Sequence, residues 1–203
     1  MNRRNYQKEL DALIRQNQAQ QQTKKLLLHS CCAPCSSYVL EYLSAFFEIT
    51  VYYYNPNIYP PEEFAVRSEE QERLIDRMTP VNPISFRAGI YDPDEFYQCV
   101  RGLEDLPEGS RRCFACYELR LREAARIAQA EHFDYFTTTL SVSPLKHADK
   151  INEIGERLAA EYQITHLPSD FKKKNGYRRS VELSAEFGLY RQDYCGCIFS
   201  VRS

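Results

Sequence analysis

Short apolar or β-branched runs alternate with amphipathic helical stretches along this chain, and that alternation narrows its possible folds more than any other feature. Lys25-Leu-Leu-Leu-His29 is a brief apolar run of the kind a buried strand presents. Residues 48–54, Glu-Ile-Thr-Val-Tyr-Tyr-Tyr, are β-branched and aromatic. Further strands are expected over 81–86, 133–139 and 163–168. Between them, helical spacing groups Tyr38, Leu40, Tyr42, Leu43 and Phe46-Phe47, and further helices are expected over 62–78, near 92–101, over 114–130, over 145–162 and near 178–187. Strands separated by helices predict an α/β fold: a mostly parallel sheet with helices on both faces, a three-layer sandwich. In such a sheet the ligand crevice lies at the carboxyl ends of the strands. Ahead of it, residues 3–15 place Tyr6, Leu10, Leu13 and Ile14 on one helical face, and the polar stretch 16–22 ends that helix or links it onward. The expected organisation is a helix and linker over 1–23 and one α/β domain over 24–203.

The crevice rule directs attention to Ser30-Cys-Cys-Ala-Pro-Cys35, where the first strand gives way to its helix, with Pro34 suited to the first helical turn. Backbone N–H groups and the positive helix end favour thiolate there. The chain holds 8 Cys and no Trp, and seven of the cysteines fall in three clusters: Cys31, Cys32 and Cys35; Cys113 and Cys116; Cys195 and Cys197. The N-terminal residues lack an apolar secretory core and no run approaches membrane-span length, so a reducing, cytoplasmic setting is expected. In that setting clustered thiols bind metal or act in redox chemistry rather than form a disulfide framework. Structural zinc, an iron–sulfur centre and dithiol chemistry are all open on the spacing alone. Seven thiols exceed one four-ligand zinc site, which favours iron. Cys195-Gly-Cys197 fits either a strained, easily reduced bridge or a ligand pair on a turn. Cys99, standing alone, reads as a small core residue.

Neither a Gly-x-Gly-x-x-Gly turn nor a P-loop occurs, so no dinucleotide or ATP cradle is visible. Thr138 and Ser141 lie in a hydroxyl-rich stretch at the end of another strand, where helix capping competes with substrate contact. Asn55 and Asn57 are turn formers that could also touch a substrate. His29 reads as a hydrogen-bonded core histidine or a proton donor. The formal charge of −2 hides an asymmetry: residues 60–110 hold 12 acidic and 5 basic side chains, whereas 171–203 hold 7 basic and 3 acidic. Lys172, Lys173, Lys174, Arg178 and Arg179, beside Phe171 and Tyr177, suit RNA, where phosphates meet cations and unpaired bases stack on rings.

Five stretches together carry a resemblance: Leu28-His-Ser-Cys-Cys-Ala-Pro-Cys35, Tyr54-Asn-Pro-Asn-Ile58, Gly109-Ser-Arg-Arg-Cys-Phe-Ala-Cys116, Phe136-Thr-Thr-Thr-Leu-Ser-Val-Ser-Pro144 and Leu189-Tyr-Arg-Gln-Asp-Tyr-Cys-Gly-Cys197. Over residues 24–203 the chain resembles the epoxyqueuosine reductases of the QueH type. The resemblance implies a fold related to the HUP and PP-loop proteins. It also implies the last step of queuosine synthesis, two-electron reduction of epoxyqueuosine to queuosine at the wobble position of tRNAs with GUN anticodons, fed by an external electron donor. It implies a [4Fe-4S] cluster at Cys31, Cys32, Cys113 and Cys116, and a second metal, iron, beside it. Cys195 and Cys197 match a pair that is redox-active or ligates that metal, and Cys35 stands where some members carry Asp. His29, Asp193 and Tyr194 are proton-donor candidates by position. The rivals are a PP-loop tRNA-thiolating enzyme, which needs a Gly-rich ATP loop where Ser30–Cys35 stands, and a non-catalytic zinc module that binds RNA.

Overall fold

In a computed structural model, which describes residues 4–201, β1 (Lys24–His29) pairs in parallel with β2 (Phe47–Tyr53) on one side and β4 (Tyr135–Thr138) on the other. β3 (Ile84–Ala88) extends the sheet beyond β2 and β5 (Thr165–His166) beyond β4, giving a parallel five-stranded sheet of order β3-β2-β1-β4-β5. Chain order reverses between β1 and β4, so the crevice outside the carboxyl end of β1 is the switch point where open α/β sheets bind ligands.

The layers follow from side-chain alternation. Leu26, Leu27 and Leu28 are all fully buried, as expected for a central strand covered on both faces. Leu26 and Leu28 face a core shared with Leu10 and Ile14 of α1 (Tyr6–Ala19), Val39, Leu40 and Leu43 of α2 (Ala33–Leu43), and Leu183 of α7 (Gly176–Glu186). Leu27 faces the opposite core, built from Tyr117, Leu121 and Ala124 of α5 (Arg111–Ala130) and Ile151 and Leu158 of α6 (Ala148–Tyr162). Gly155 lets α6 close on β5, because a Cβ there would lie 2.4 Å from the His166 ring. α3 (Pro61–Arg77) and α4 (Pro93–Cys99) complete the helices. No described helix is long and apolar enough to cross a membrane.

The three-layer α/β architecture agrees with the alternation, while several boundaries move. Phe47 begins β2 opposite Lys24 instead of ending α2, and its ring packs edge-on against Tyr135. The expected strand 81–86 starts at Ile84, since Pro83 has no N–H to give the ladder and contributes only its carbonyl to Ile49. The expected strand 163–168 shortens to Thr165–His166: Leu167 still donates to Phe136, but Pro168 cannot continue the ladder. The helix expected over 145–162 begins at Ala148, and before it Thr139–Val142 forms a 3-10 turn. α5 begins at Arg111 rather than 114, with Ser110 as its extended N-cap accepting from Phe114 N, so both its cysteines are helical. α1 runs past residue 15 to Ala19, from an Asn5 cap that accepts from Lys8 N; Arg3 lies outside the described residues.

Candidate metal centre

The chain leaves β1 at His29 and enters α2 through Cys31 and Cys32, the latter being the N-cap of α2, with Pro34 and Cys35 in its first turn. The Cys31, Cys32 and Cys35 sulfurs lie within 4.8 Å of one another, the one such gathering of ligand atoms among the described residues. Cys31 and Cys32 sulfurs are 3.8 Å apart, and Cys31 also reaches Thr139 Oγ1 at 3.7 Å. The Cys32 and Cys35 thiols hydrogen-bond to Cys31 and hold its thiol well below the usual range. Their own thiols are pushed up by the same contacts.

A buried polar floor fixes this turn. Ser30 and Ser36 hydroxyls both donate to Gln71 Oε1 of α3, at 2.6 and 2.7 Å, and Asn55 Nδ2 donates to Ser30 O at 2.8 Å. His29 is fully buried: Nε2 lies 3.0 Å from Tyr54 O, and Nδ1 lies 2.8 Å from Thr138 Oγ1. A carbonyl can only accept, which makes Nε2 the donor and assigns the neutral ring whose Nδ1 accepts from Thr138. Burial, with Arg120 nearby, holds the His29 pKa down to about 4. Both ring nitrogens are committed, so His29 is a support of the turn and has no proton to deliver into the crevice.

The second thiol set lies on α5 and the C-terminal segment. Cys113, Cys116, Cys195 and Cys197 line a small cavity of about 10 Å³ together with Asn57 and Tyr117. Spacing i, i+3 puts Cys113 and Cys116 on one face of the first two turns of α5. Cys113 accepts from Gly109 N at 3.2 Å. Burial pushes the Cys116 thiol up to about 12 and raises Cys197. Between Cys195 and Cys197, Gly196 has φ +120°, and a Cβ there would meet Arg67 Nη1 at 3.0 Å. Its carbonyl accepts from Tyr59 N at 2.8 Å, which ties the C-terminal loop to the segment after β2. All eight cysteines are free thiols. Cys99 donates to Ala115 O at 3.4 Å and packs against Phe96, Val100, Cys116 and Cys197.

A cleft of about 330 Å³ opens over the first set, lined by Cys31, Cys32, Cys35 and Cys195, by the cations Arg67, Arg120, Lys146 and Arg191, and by Leu145 and Tyr177 on its walls. Lys146 Nζ reaches Cys195 Sγ at 2.9 Å and Glu108 at 3.3 Å. Its contact with Cys195 draws the Lys146 ammonium well above the usual lysine range against the opposing cost of burial. Five buried polar atoms around the two sets have no hydrogen-bond partner: Asn57 Oδ1, Arg67 Nη2, Gln71 Nε2, Arg112 Nε and Tyr117 Oη. Asn57, Arg112 and Tyr117 line the small cavity and Arg67 lines the cleft, and four of the five atoms are donors that an acceptor group bound there would satisfy; away from the thiols Asn17 Nδ2 and the His166 ring nitrogens are also without a partner among the described residues.

The other sequence candidates divide. Asp193 and Tyr194 line the cleft, although the Tyr194 hydroxyl is spent on Tyr59 O at 2.7 Å. Thr138 serves His29 and caps the 3-10 turn through Leu140 N at 3.2 Å. Ser141 is buried against Ser169 and Phe171 N. Lys172 binds Asp170 at 2.6 Å and Ser141 O, Arg178 pairs with Glu182 at 3.0 Å, and Arg179 pairs with Glu41 at 2.6 Å; Lys173 has no side-chain partner among the described residues. Arg67, Arg120 and Lys146 were not anticipated from sequence. For Arg120 a signal existed: it follows Cys113 and Cys116 at i+7 and i+4, on the buried face of α5.

Comparison with known proteins adds a family. The family described as Epoxyqueuosine reductase QueH matches residues 26–203. A Streptococcus pyogenes protein named Epoxyqueuosine reductase QueH is 40% identical over 200 residues, covering 98% of this chain and 78% of the relative. Proteins of the same name from Staphylococcus aureus and Thermotoga maritima are 41% identical over 201 residues (97% of this chain, 83% of the relative) and 34% identical over 182 residues (87% and 90%).

Proposed function

The chain belongs to the epoxyqueuosine reductase QueH family, and on that premise we propose that its two thiol sets hold an iron–sulfur cluster and a second metal with which it reduces tRNA epoxyqueuosine to queuosine. The orphaned buried polar atoms beside the two thiol sets carry this reading. The donors among them, Arg67 Nη2, Gln71 Nε2, Arg112 Nε and Tyr117 Oη, suit the sulfur atoms and net negative charge of a cysteinate-bound cluster. Cys31, Cys32, Cys113 and Cys116 would hold a [4Fe-4S] cluster, and Cys35, Cys195 and Cys197 a second iron. When bound, these groups supply single electrons and a Lewis acid.

Converting an epoxide to an alkene consumes two electrons and two protons and releases water, and the electrons come from an external donor. The cleft supplies binding and protons. Leu145 and Tyr177 offer an aliphatic and an aromatic wall for a base, and Tyr177 is 42% exposed. With His29 and Tyr194 committed elsewhere, Lys146 Nζ is the cleft group assigned to hold a proton for the substrate oxygen, and Asp193 lines the same cleft. Asn55 acts from behind, as a support of the thiol turn, and Asn57 lines the small cavity of the second thiol set. Lys172, Lys173, Arg178 and Arg179 face the anticodon stem-loop. The exposed ion pairs of Arg178 and Arg179 contribute little, about 0–1 kcal/mol each, so phosphates can displace their carboxylates. Residues 24–203 form the catalytic unit, and the reaction takes place in the cytoplasm, where thiols stay reduced.

One observation favours a variant of this arrangement. The 3.8 Å between Cys31 and Cys32 sulfurs matches the edge of a tetrahedral site with metal–sulfur bonds of about 2.3 Å, which suits a single ion on the Cys31, Cys32 and Cys35 trio. Anaerobic reconstitution with iron and sulfide separates the two. Broad visible absorbance with equal iron and acid-labile sulfide, plus extra iron, is expected; iron without sulfide would leave only the single-ion arrangement, and a colourless zinc protein would overturn both.

A further inference from the structure

Arg120 of α5 is 2% exposed and pairs with no carboxylate among the described residues. Its recorded hydrogen bonds go to neutral oxygens, from Nε to Cys116 O at 3.1 Å and from Nη1 to Asn55 Oδ1 at 3.5 Å. The other two buried cations of the cleft each have an acidic partner: Arg67 has Glu63 at 2.6 Å and Lys146 has Glu108 at 3.3 Å. A guanidinium cannot shed its proton in a protein, and a buried charge does not persist without compensation. Its counter-charge therefore comes from another group. Arg120 lines both cavities, so the thiols of both sets surround it. Cys116, Cys195, Cys31 and Tyr117 are the ionisable groups beside it, and as metal-bound thiolates the three cysteines would offset its charge.

We propose that Arg120 is the counter-ion of the sulfur-bound metal group, a positioning residue that joins the two thiol-bearing segments and sets how readily that group takes up an electron. The joining is visible in its two bonds. One holds the α5 backbone at Cys116; the other holds Asn55, which in turn holds Ser30 O directly before Cys31. The electronic effect follows from Coulomb's law in a poorly screened interior. Each added electron makes a cysteinate-bound cluster more negative, and a fixed cation beside it favours the reduced state. A carboxylate partner would cancel that field, and Arg120 has none.

This proposal rests on the cluster reading above, and its test separates the two. Full-length protein, wild type and Arg120→Gln, is reconstituted anaerobically with iron and sulfide and titrated potentiometrically while visible absorbance is followed. Arg120→Gln is expected to retain iron and sulfide and to make reduction less favourable by about tenfold, a shift of about 59 mV to more negative potential for a one-electron couple. Arg120→Lys, which keeps the charge, stays near the wild type. An unshifted potential in a fully loaded Arg120→Gln protein overturns the proposal while leaving the cluster reading intact. If Arg120→Gln fails to load, restored loading in Arg120→Lys supports the proposal and equal failure of both variants overturns it, because the requirement is then for the guanidinium's shape. A wild type that takes up no iron and sulfide overturns both.

Discussion

The two thiol sets are made differently. Cys31, Cys32 and Cys35 come from one short turn between β1 and α2, on a floor of Ser30, Ser36, Gln71, Asn55 and His29, and they open onto a cleft of about 330 Å³. Cys113, Cys116, Cys195 and Cys197 come from two distant segments, and the cavity between them is about 10 Å³. The first set depends on local sequence: a strand end, a helix start and sulfurs gathered within 4.8 Å. The second depends on the tertiary fold, with the C-terminal loop pinned through Gly196 O and the cavity enclosed by Tyr117. An open, locally encoded set suits substrate access, and an enclosed one suits retention of a cofactor out of water.

Removing a ligand of the cluster that the two sets are proposed to hold between them should have the largest effect. Cys31→Ala is expected to abolish the visible absorbance and lower turnover by at least about 100-fold, since loss of a mere outer-shell partner costs 10–100-fold. Full activity with retained colour would break the division. Lys146→Met tests the link between the sets, because Lys146 lines both cavities and holds Cys195 at 2.9 Å. Loss of a charge-assisted bond of about 1.5–3 kcal/mol predicts a roughly 10–100-fold fall in kcat, partly restored by Lys146→Arg.

Tyr177→Ala tests the open side alone. Removing one stacking surface should raise KM for the tRNA about tenfold, leave KM for the free epoxyqueuosine nucleoside unchanged and leave iron content untouched. A change in iron content would mean that the wall and the metal set are not separable. Acid sharpens the comparison least but most specifically, because only the first set stands on a buried histidine. His29 is neutral when folded, with its pKa held near 4 by burial, against an unfolded value near 6.5. The unfolded chain takes up a proton first as pH falls. The stability contributed is therefore complete above about pH 6.5 and is lost at about 1.4 kcal/mol per pH unit between there and about pH 4. In chemical denaturation, His29→Asn should flatten that slope between pH 6.5 and 5, and an unaltered slope would remove His29 from the explanation.

The same contrast explains what was legible in the sequence. Strand–helix alternation and the placement of Cys31, Cys32 and Cys35 at a strand's carboxyl end need only local pattern and the switch-point rule, and both are found in the fold. The short spacings identified Cys113 with Cys116 and Cys195 with Cys197 as pairs, but their meeting around one cavity is set by long-range packing. The pairing of Arg179 was invisible because Glu41 becomes its partner only once the chain has folded, whereas Arg178–Glu182 at i,i+4 and Lys172–Asp170 two residues apart are local pairs that the sequence carries. Lys146 stands in a loop with no motif around it. Arg120 is legible as a charge on the buried face of α5, but its role depends on the absence of a carboxylate opposite it among the described residues, which only the fold determines.

The most direct measurement is anaerobic incubation of the reconstituted protein with tRNA carrying epoxyqueuosine and a strong reductant, followed by nucleoside mass analysis. The structure and the family relationship predict conversion to queuosine, a product lighter by one oxygen atom, in wild type and not in Cys31→Ala. Unchanged epoxyqueuosine with fully loaded wild-type protein, or equal conversion by the variant, would contradict it.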